Sequence, residues 1–204
     1  MHLTYNHSGN LGDSIRALTH ALSIIKKTGQ SAELDPICEN NKDTGPRLRE
    51  LMLLIDDPNI SKITLDYSRP KKLKAWDEIL AEEWFPAGPY LDTPVWIESV
   101  PFKIRWRPGK YNRIVYQFDG NWLAENKNPP QEDIDFFLKF CAKAGIQTVK
   151  LGKELSLEQC AQQAAQADMF VGVCSGMSQL CYCVGTPVYI TRYGQIDYNL
   201  INWH

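Results

Sequence analysis

The feature that most constrains the fold is a regular alternation of short strand-like and longer helix-like segments along the chain. In the second half, an extended run that begins at Arg113 is followed by apolar residues at helical spacing, and the pattern repeats until a last strand-like run over 188–191. Residues 168–173 are almost continuously apolar, which is typical of a strand buried on both faces. Such alternation predicts parallel sheets joined by right-handed helical crossovers, a Rossmann-like α/β fold.

The first half carries the same pattern. The pattern predicts an extended segment over residues 1–6, a glycine-containing turn and then a helix that ends at Gly29. Apolar spacing predicts a second helix around 48–55, a strand over 60–67 and a third helix around 74–84.

The middle of the chain has a different composition. Five of the twelve prolines fall between positions 86 and 108. Because proline fixes φ and cannot donate to a ladder, we predict a linker at about 86–110. It would join an N-terminal domain, residues 1–100, to a C-terminal domain, residues 110–204, and 204 residues are enough for two small domains.

Composition excludes several classes of protein. An apolar fraction of 44% and a charged fraction of 23% are ordinary for a globular chain and argue against disorder. The formal charge of −2 argues against strong non-specific binding to duplex DNA. No apolar run is long enough to span a bilayer, and no secretory signal is evident. Six cysteines without a disulfide framework or a CxxC pair favour reduced thiols in the cytoplasm over a zinc site.

Two turns have the same physical form, in which a strand, a glycine-containing turn and a helix start follow one another. The first covers residues 9–13 and the second residues 173–177. A helix start offers free N–H groups and partial positive charge, and glycine lets a phosphate approach the backbone. Neither turn is a complete dinucleotide fingerprint or a P-loop. Asp13 can complement the helix dipole or act as a base, and Ser175 can be an N-cap or a phosphate ligand.

Residues 168–190 resemble the C-terminal signature of heptosyltransferase-type glycosyltransferases. In that signature an acidic residue and a short apolar strand precede D-S-G, then H-L-A, a small-residue helix, G-T-P and a strand. Residues 8–15 resemble the N-terminal turn of the same family, in which G-D and an aliphatic residue open the first helix. Cys174 and Gln179 stand where the family has aspartate and histidine. The resemblance implies a GT-B-like α/β fold, two small Rossmann-like domains with parallel sheets facing across a cleft.

The resemblance also implies a function: transfer of a sugar from a nucleotide-diphosphate donor to a hydroxyl of a carbohydrate or another acceptor. Asp13 would be the catalytic base. The donor-binding residues would be Gly12, Gly120, Lys127, Ser175, Gly176, Met177 and Gln179. Helix dipoles and a lysine could neutralise the leaving group without a metal or cofactor, and a base opposite that group predicts inversion.

Three alternatives remain open. The replacements at Cys174 and Gln179 favour a non-catalytic nucleotide or phosphosugar-binding module. A nucleotide-sugar epimerase or hydrolase would need further acid and base groups. Residues 103–113 interleave five basic residues with two aromatics, which would suit a DNA base or phosphorylated acceptor, although an exposed strand edge protected by charge is the simpler interpretation. The sequence indicates no oligomeric state.

Overall fold

The computed structural model describes residues 2–7, 11–38, 45–63, 102–120 and 128–191. The strands in these ranges are β1 (His2–His7), β2 (Ala32–Cys38), β3 (Ile60–Ile63), β4 (Arg113–Gln117), β5 (Gln147–Lys150), β6 (Met169–Gly172) and β7 (Val188–Ile190). The helices are α1 (Leu11–Thr28), α2 (Gly45–Leu54), α3 (Gln131–Lys143), α4 (Leu157–Ala165) and α5 (Gly176–Val184). The predicted helix 74–84, the end of the predicted strand 60–67 and most of the predicted linker lie outside the described residues.

The strands form two sheets in which every pairing is parallel. The first sheet has the order β1-β2-β3 and the second the order β5-β4-β6-β7. The predicted α/β class with parallel sheets is therefore confirmed. In the second sheet the chain moves from β4 to β5 on one side and then to β6 on the other. Open parallel sheets bind ligands at such a reversal, beyond the carboxyl ends of the strands.

The helix signals read from the sequence are confirmed at both ends of the chain. Four apolar residues of α1 form its buried face, at most 9% exposed: Ile15, Leu18, Leu22 and Ile25. Gly29 ends α1 with a φ of 63°, and its N–H donates to the carbonyl of Ile25. Gly185 ends α5 in the same left-handed conformation, with a φ of 95°. Glycine occupies these positions because a side chain there would be strained.

β2 is an element that the sequence pattern did not indicate. Its acidic residues Glu33 and Asp35 and its proline, Pro36, interrupt the alternation expected of a strand. The strand forms because it lies between two partners, with Tyr5 of β1 opposite Pro36 and Ile63 of β3 opposite Leu34. Pairing on both sides thus overrides the weak local propensity.

The described parts of the two halves share one apolar core. α1 packs against α5 and α2 packs against α4, and buried residues of all four helices form a single cluster. Glu50 of α2 adds a polar link, because its carboxylate accepts the N–H of Leu157 at the start of α4, at 2.6 Å. The helices that follow β1 and β6 are therefore held side by side.

α3 covers the other face of the second sheet. Val115 and Phe170 are paired neighbours that lie in the shared core, and successive residues of a strand point to opposite faces. Tyr116 accordingly points to α3, where its ring contacts that of Phe137 edge-on with centroids 6.0 Å apart. Phe118 contacts the same ring at 5.4 Å. α3 is thus an outer helix, separated by the sheet from α4 and α5.

The basic segment predicted as a strand edge is not a strand. Residues 103–112, which we call the strap, contain no regular secondary structure. The strap crosses the C-terminal end of α5, where the backbone N–H of Trp106 donates to the carbonyl of Val184 at 2.9 Å. The indole of Trp106 donates to Ala167, and the guanidinium of Arg105 donates to Cys183. The prediction failed because carbonyls at the end of a helix replaced a neighbouring strand as hydrogen-bond partners.

Among the described helices, none combines the length and the apolar character that crossing a bilayer requires.

Candidate functional site

The start of α5 is capped by its own serines. The Oγ of Ser175 accepts the N–H groups of Met177, at 3.2 Å, and of Ser178, at 3.4 Å. The Oγ of Ser178 accepts the N–H of Ser175 in return, at 3.0 Å, which completes a capping box. No acceptor lies within hydrogen-bond distance of the Gly176 N–H in the described part of the chain. The described residues therefore leave this first-turn N–H of α5 unbonded.

Ser175 also holds a residue that sequence reasoning missed. Its hydroxyl donates to Oε1 of Gln117 at 2.7 Å. Gln117 is the last residue of β4, and its carbonyl accepts the N–H of Val173 from the end of β6 at 3.0 Å. The amide Nε2 of Gln117 has no acceptor among the described residues. This donor lies at the ends of β4 and β6, where the order of strands in the sheet reverses. A polar residue at the end of β4 was the sequence signal that could have identified Gln117.

The starts of α1 and α5 meet. A Cβ atom added at Gly176 would lie 2.6 Å from the backbone N of Gly12 and 2.7 Å from the Cβ of Leu11. α1 and α5 therefore begin in direct contact, and their positive ends converge. The sequence pattern predicts that glycine at these positions lets a phosphate approach the backbone. The geometry gives Gly176 a further reason, since only glycine lets the two helix starts approach so closely.

Gln179 is buried at this junction. Its side chain is 7% exposed, and its amide lies 3.3–3.4 Å from the place that a Cβ of Gly12 would occupy. Among the described residues, its Oε1 is the buried side-chain oxygen without a hydrogen-bond partner. Leaving such an acceptor unsatisfied costs about 1–3 kcal/mol. Because most buried polar atoms in proteins are bonded, an exception beside two helix starts marks a candidate ligand position.

Gly120 lies at the same edge of the second sheet. Its N–H donates to Oδ1 of Asn128 at 2.9 Å, and a Cβ at this position would lie 3.3 Å from a methyl group of Val173. The bond to Asn128 ties the beginning of the next segment to the end of β4. Gly120 is therefore close to the site residues that follow β6.

The other predicted site residues differ in their placement. Met177 is 3% exposed, so its side chain packs in the core and only its backbone faces the turn. Asp13 is the third residue of α1, and its side chain lies outside what the structure describes, as does all of Lys127. The structure thus brings Gly12, Ser175, Gly176 and Gln179 together, with Gly120 nearby.

An exposed ion pair lies at the end of β5. Nζ of Lys150 is 3.1 Å from Oδ2 of Asp119, the residue before Gly120. The hydrogen bond to Asp119 raises the pKa of Lys150, so this lysine stays charged but its charge is balanced. Such a pair adds little attraction for an anion. The positive potential of the described site therefore comes mainly from the two helix starts.

The cysteines do not form a metal centre in the described residues. Cys160, Cys181 and Cys183 are fully buried in the core, and burial raises the pKa of Cys181 well above its ordinary value. No group of three or more histidine, cysteine, aspartate or glutamate side chains is placed to hold a metal ion in these ranges. Cys174 is partly exposed beside Ser175. A thiol there cannot accept hydroxyl groups as a carboxylate does.

The basic segment lies at the other end of α5, away from the junction. Asp168 precedes β6, and its carboxylate accepts the N–H groups of Tyr111, at 3.0 Å, and Arg113, at 3.1 Å. These bonds lower the pKa of Asp168. The guanidinium of Arg113 donates to the side chains of Gln147 and Gln163. Much of the polarity of this segment is therefore used inside the protein.

No protein-family model matches the sequence, and no curated protein matches it either. Among solved structures, the fold is similar to that of the iron-containing dodecameric glycosyltransferase TibC from enterotoxigenic E. coli H10407, with a TM-score of 0.61 and 13% sequence identity. The match covers 93% of this chain and 59% of TibC, so the chain spans less than two thirds of that protein's length. A glycosyl transferase of family 9 from Veillonella parvula DSM 2008 is also similar, at 12% identity and a TM-score of 0.38, over 87% of this chain and 62% of that one.

At these identities the similarity establishes the fold alone, and this conclusion rests on the TibC structure. The predicted fold class, α/β with parallel sheets and GT-B-like, is confirmed at this level.

Proposed function

We propose that the protein is a glycosyltransferase that moves a sugar from a nucleotide-diphosphate donor to an acceptor hydroxyl. The observation that carries the proposal is the junction of α1 and α5, where a Cβ at Gly176 would lie 2.6 Å from the backbone of Gly12. One sugar can therefore contact groups from both turns. The fold similarity to a glycosyltransferase supports the same reaction class.

The donor diphosphate binds at the start of α5. The N–H of Gly176 and the amide Nε2 of Gln117 donate to its oxygens, while the α5 dipole stabilises the charge that develops on it. Met177 and Ser178 contribute less than their positions suggest, because Ser175 occupies their N–H groups. Lys127 completes the cradle from the segment that follows Gly120.

The acceptor is activated from the first turn. The carboxylate of Asp13 removes the proton of the acceptor hydroxyl as its oxygen attacks the anomeric carbon. The bond from that carbon to the diphosphate breaks, and the nucleoside diphosphate leaves with the bonding electrons. Because base and leaving group act on opposite sides of the sugar, the anomeric configuration inverts.

The helix dipoles and Lys127 neutralise the leaving group, so we propose transfer that needs no metal or other cofactor. The acceptor is a carbohydrate or another hydroxyl compound. A base of DNA is the less favoured choice, because Arg105 and Arg113, two of the five basic residues of this segment, donate to groups of the protein itself. We place the reaction in the cytoplasm, where the six thiols stay reduced.

The first experiment is a thermal-shift panel of nucleoside diphosphates and their sugars. A ligand at a hundredfold excess over its Kd adds about 2.7 kcal/mol of stability. With the sugar nucleotide that binds, Asp13→Asn should lower release of the nucleoside diphosphate by roughly 10²–10⁴-fold without weakening binding. Asp56→Asn, at an exposed carboxylate beyond α2, is the matched control and should retain full turnover. Turnover that is lost on treatment with EDTA would contradict the metal-independent step.

A second candidate is a module that binds a nucleotide or phosphosugar without turning it over. It is favoured by Cys174 and Gln179, which replace the family's aspartate and histidine, and by the unsatisfied Oε1 of Gln179. The two functions separate cleanly. A wild-type chain that binds a sugar nucleotide but releases no nucleoside diphosphate with any acceptor tested supports the module and contradicts the transferase.

A further inference from the structure

The outer face of α3 carries two exposed aromatic side chains. Phe136 is 72% exposed and Phe140 is 59% exposed. They are four residues apart, so they lie one above the other on the same face of the helix. In the described part of the chain, the other large exposed apolar residues, Leu53 and Tyr189, belong to different elements. The two phenylalanines therefore form a local apolar patch.

The core formed by the described residues does not include this patch. The inner face of α3 is already packed: Cys141 is buried, and the ring of Phe137 contacts those of Tyr116 and Phe118. Phe136 and Phe140 point away from these contacts. Exposing two neighbouring phenylalanines to water is unfavourable, and such patches mark interaction surfaces.

Charges at the two ends of the patch indicate the partner. Glu132 lies one turn before Phe136, and Lys143 lies about one turn beyond Phe140; both are exposed. At about 100° per residue, all four side chains fall within roughly 40° of the direction of Phe136. Along α3 they form one stripe that is acidic, aromatic, aromatic and basic. When this stripe is reversed it matches itself, with Glu132 opposite Lys143 and Phe136 opposite Phe140.

We propose that α3 pairs with α3 of a second copy of this chain, antiparallel about a two-fold axis that crosses the helix near Leu138. In such an isologous contact each interaction occurs twice. Four phenylalanine rings form its centre, where offset or edge-on packing is favourable. Two Glu132–Lys143 pairs flank the rings, and they fix the register and the antiparallel direction. The acidic first turn and the basic last turn of α3 match the helix dipole, and their self-complementary order also fits a second copy of the same helix.

The pairing is weak and leaves the candidate site open. A helix of 13 residues is only about 20 Å long. One helix pair therefore buries less than the roughly 1,200 Å² of a stable complex, and the dimer depends on protein concentration. The second sheet separates α3 from α5, so the pairing does not depend on the proposed function.

Sedimentation equilibrium of the full chain over increasing concentration tests the proposal. We expect a monomer–dimer equilibrium, which Glu132→Lys alone or Lys143→Glu alone weakens at least roughly tenfold, because like charges then face each other. The double variant with both substitutions should dimerise like the wild type. An equimolar mixture of the two single variants should form heterodimers in preference to homodimers.

Two further variants distinguish this specific contact from non-specific hydrophobic association. Phe136→Ser should abolish association, while Leu53→Ser, at a residue that is 59% exposed on α2, should leave it unchanged. All these side chains are exposed, and the melting temperature of each variant verifies that it is folded. A chain that stays monomeric at up to about 500 µM would overturn the proposal. A dimer that is indifferent to the charge substitutions would also overturn it, as would a complex containing a different protein in place of the second copy.

Discussion

The two ends of α5 differ in how completely their polar groups are bonded. At the C-terminal end, the strap donates hydrogen bonds to the carbonyls of Cys183 and Val184. At the N-terminal end, the N–H of Gly176 and the Oε1 of Gln179 have no partner among the described residues. By sequence, both the basic strap and the glycine turn before α5 are candidate anion-binding segments.

The comparison shows that residue type alone does not identify a ligand site. Whether the polar groups already have hydrogen-bond partners inside the protein is the better criterion. Arginine and tryptophan in the strap are typical of anion or nucleic-acid contacts. Here the guanidinium of Arg105 donates to Cys183 at the end of α5, and the indole of Trp106 donates to Ala167 before β6. At the other end, the N–H of Gly176, the Nε2 of Gln117 and the Oε1 of Gln179 have no partner among the described residues. Most buried polar groups in proteins are bonded, so the unsatisfied Oε1 of Gln179 marks a candidate ligand position.

The largest change in the free energy of unfolding is expected at the junction of α1 and α5. Gly176→Ala would place a Cβ 2.6 Å from the backbone N of Gly12 and 2.7 Å from the Cβ of Leu11. Backbone must move to relieve this contact, so we expect a loss of about 3 kcal/mol in the free energy of unfolding. Urea denaturation measures it.

Gly12→Ala is the matched control for that variant. Its Cβ would meet the Gln179 amide at 3.3–3.4 Å, which a small side-chain shift can relieve. It would lie 3.4 Å from the Cα of Gly176, an ordinary van der Waals contact. Alanine also favours the helix over glycine by about 1 kcal/mol, so the net change should stay within about 1 kcal/mol. Equal losses for the two variants would contradict the close approach at Gly176.

At the strap, near the C-terminal end of α5, the stabilisation by Asp168 should depend on pH. The N–H groups of Tyr111 and Arg113 lower the pKa of Asp168 in the folded protein. A lowered pKa stabilises the fold above the unfolded value of about 3.9, and this stabilisation is lost as the pH falls through the folded value. Asp168→Ala should cost about 1 kcal/mol at pH 7, because solvent screens this partly exposed carboxylate.

Below about pH 4 the difference between the wild type and Asp168→Ala should shrink, and urea denaturation at pH 7 and pH 3 measures the two values. A difference that is independent of pH would show that the carboxylate charge does not stabilise the strap.

α4 and α5 both begin with a serine capping box, and removing each box should have a smaller effect on stability. Ser175→Ala and Ser156→Ala each remove a capping box, and each should cost about 1 kcal/mol of stability. Only Ser175 holds Gln117. Ser175→Ala should therefore also weaken nucleoside diphosphate binding, by roughly fivefold for about 1 kcal/mol. Isothermal titration calorimetry that finds the same affinity for both variants would contradict the role of Gln117.

The smallest effect is expected at Gln179. Gln179→Met keeps the volume and removes the unsatisfied Oε1, so the free energy of unfolding should stay equal or rise by up to about 1 kcal/mol. Thermal unfolding without ligand measures this change. A clear loss of stability would mean that the amide is bonded in the ligand-free protein.

Much of the fold followed from periodicity, because helices with one apolar face have a strong local signal. The spacing of Ile15 to Ile25 predicted α1, and the apolar run before Cys174 predicted β6. β2 escaped prediction because Glu33, Asp35 and Pro36 hide the alternation, and only its neighbours make it a strand. Gln117 escaped because its importance depends on the order of strands in the sheet.

The amino-acid sequence by itself determined the α/β class, the positions of the glycine turns and the helices that follow them, since these depend on spacing within about 20 residues. The tertiary structure alone decided that residues 12 and 176 touch, that Ser175 holds Gln117, and that the strap caps α5 and does not serve as a strand edge. These contacts join residues far apart in the chain, and which partner a polar group finds depends on packing that no local pattern encodes.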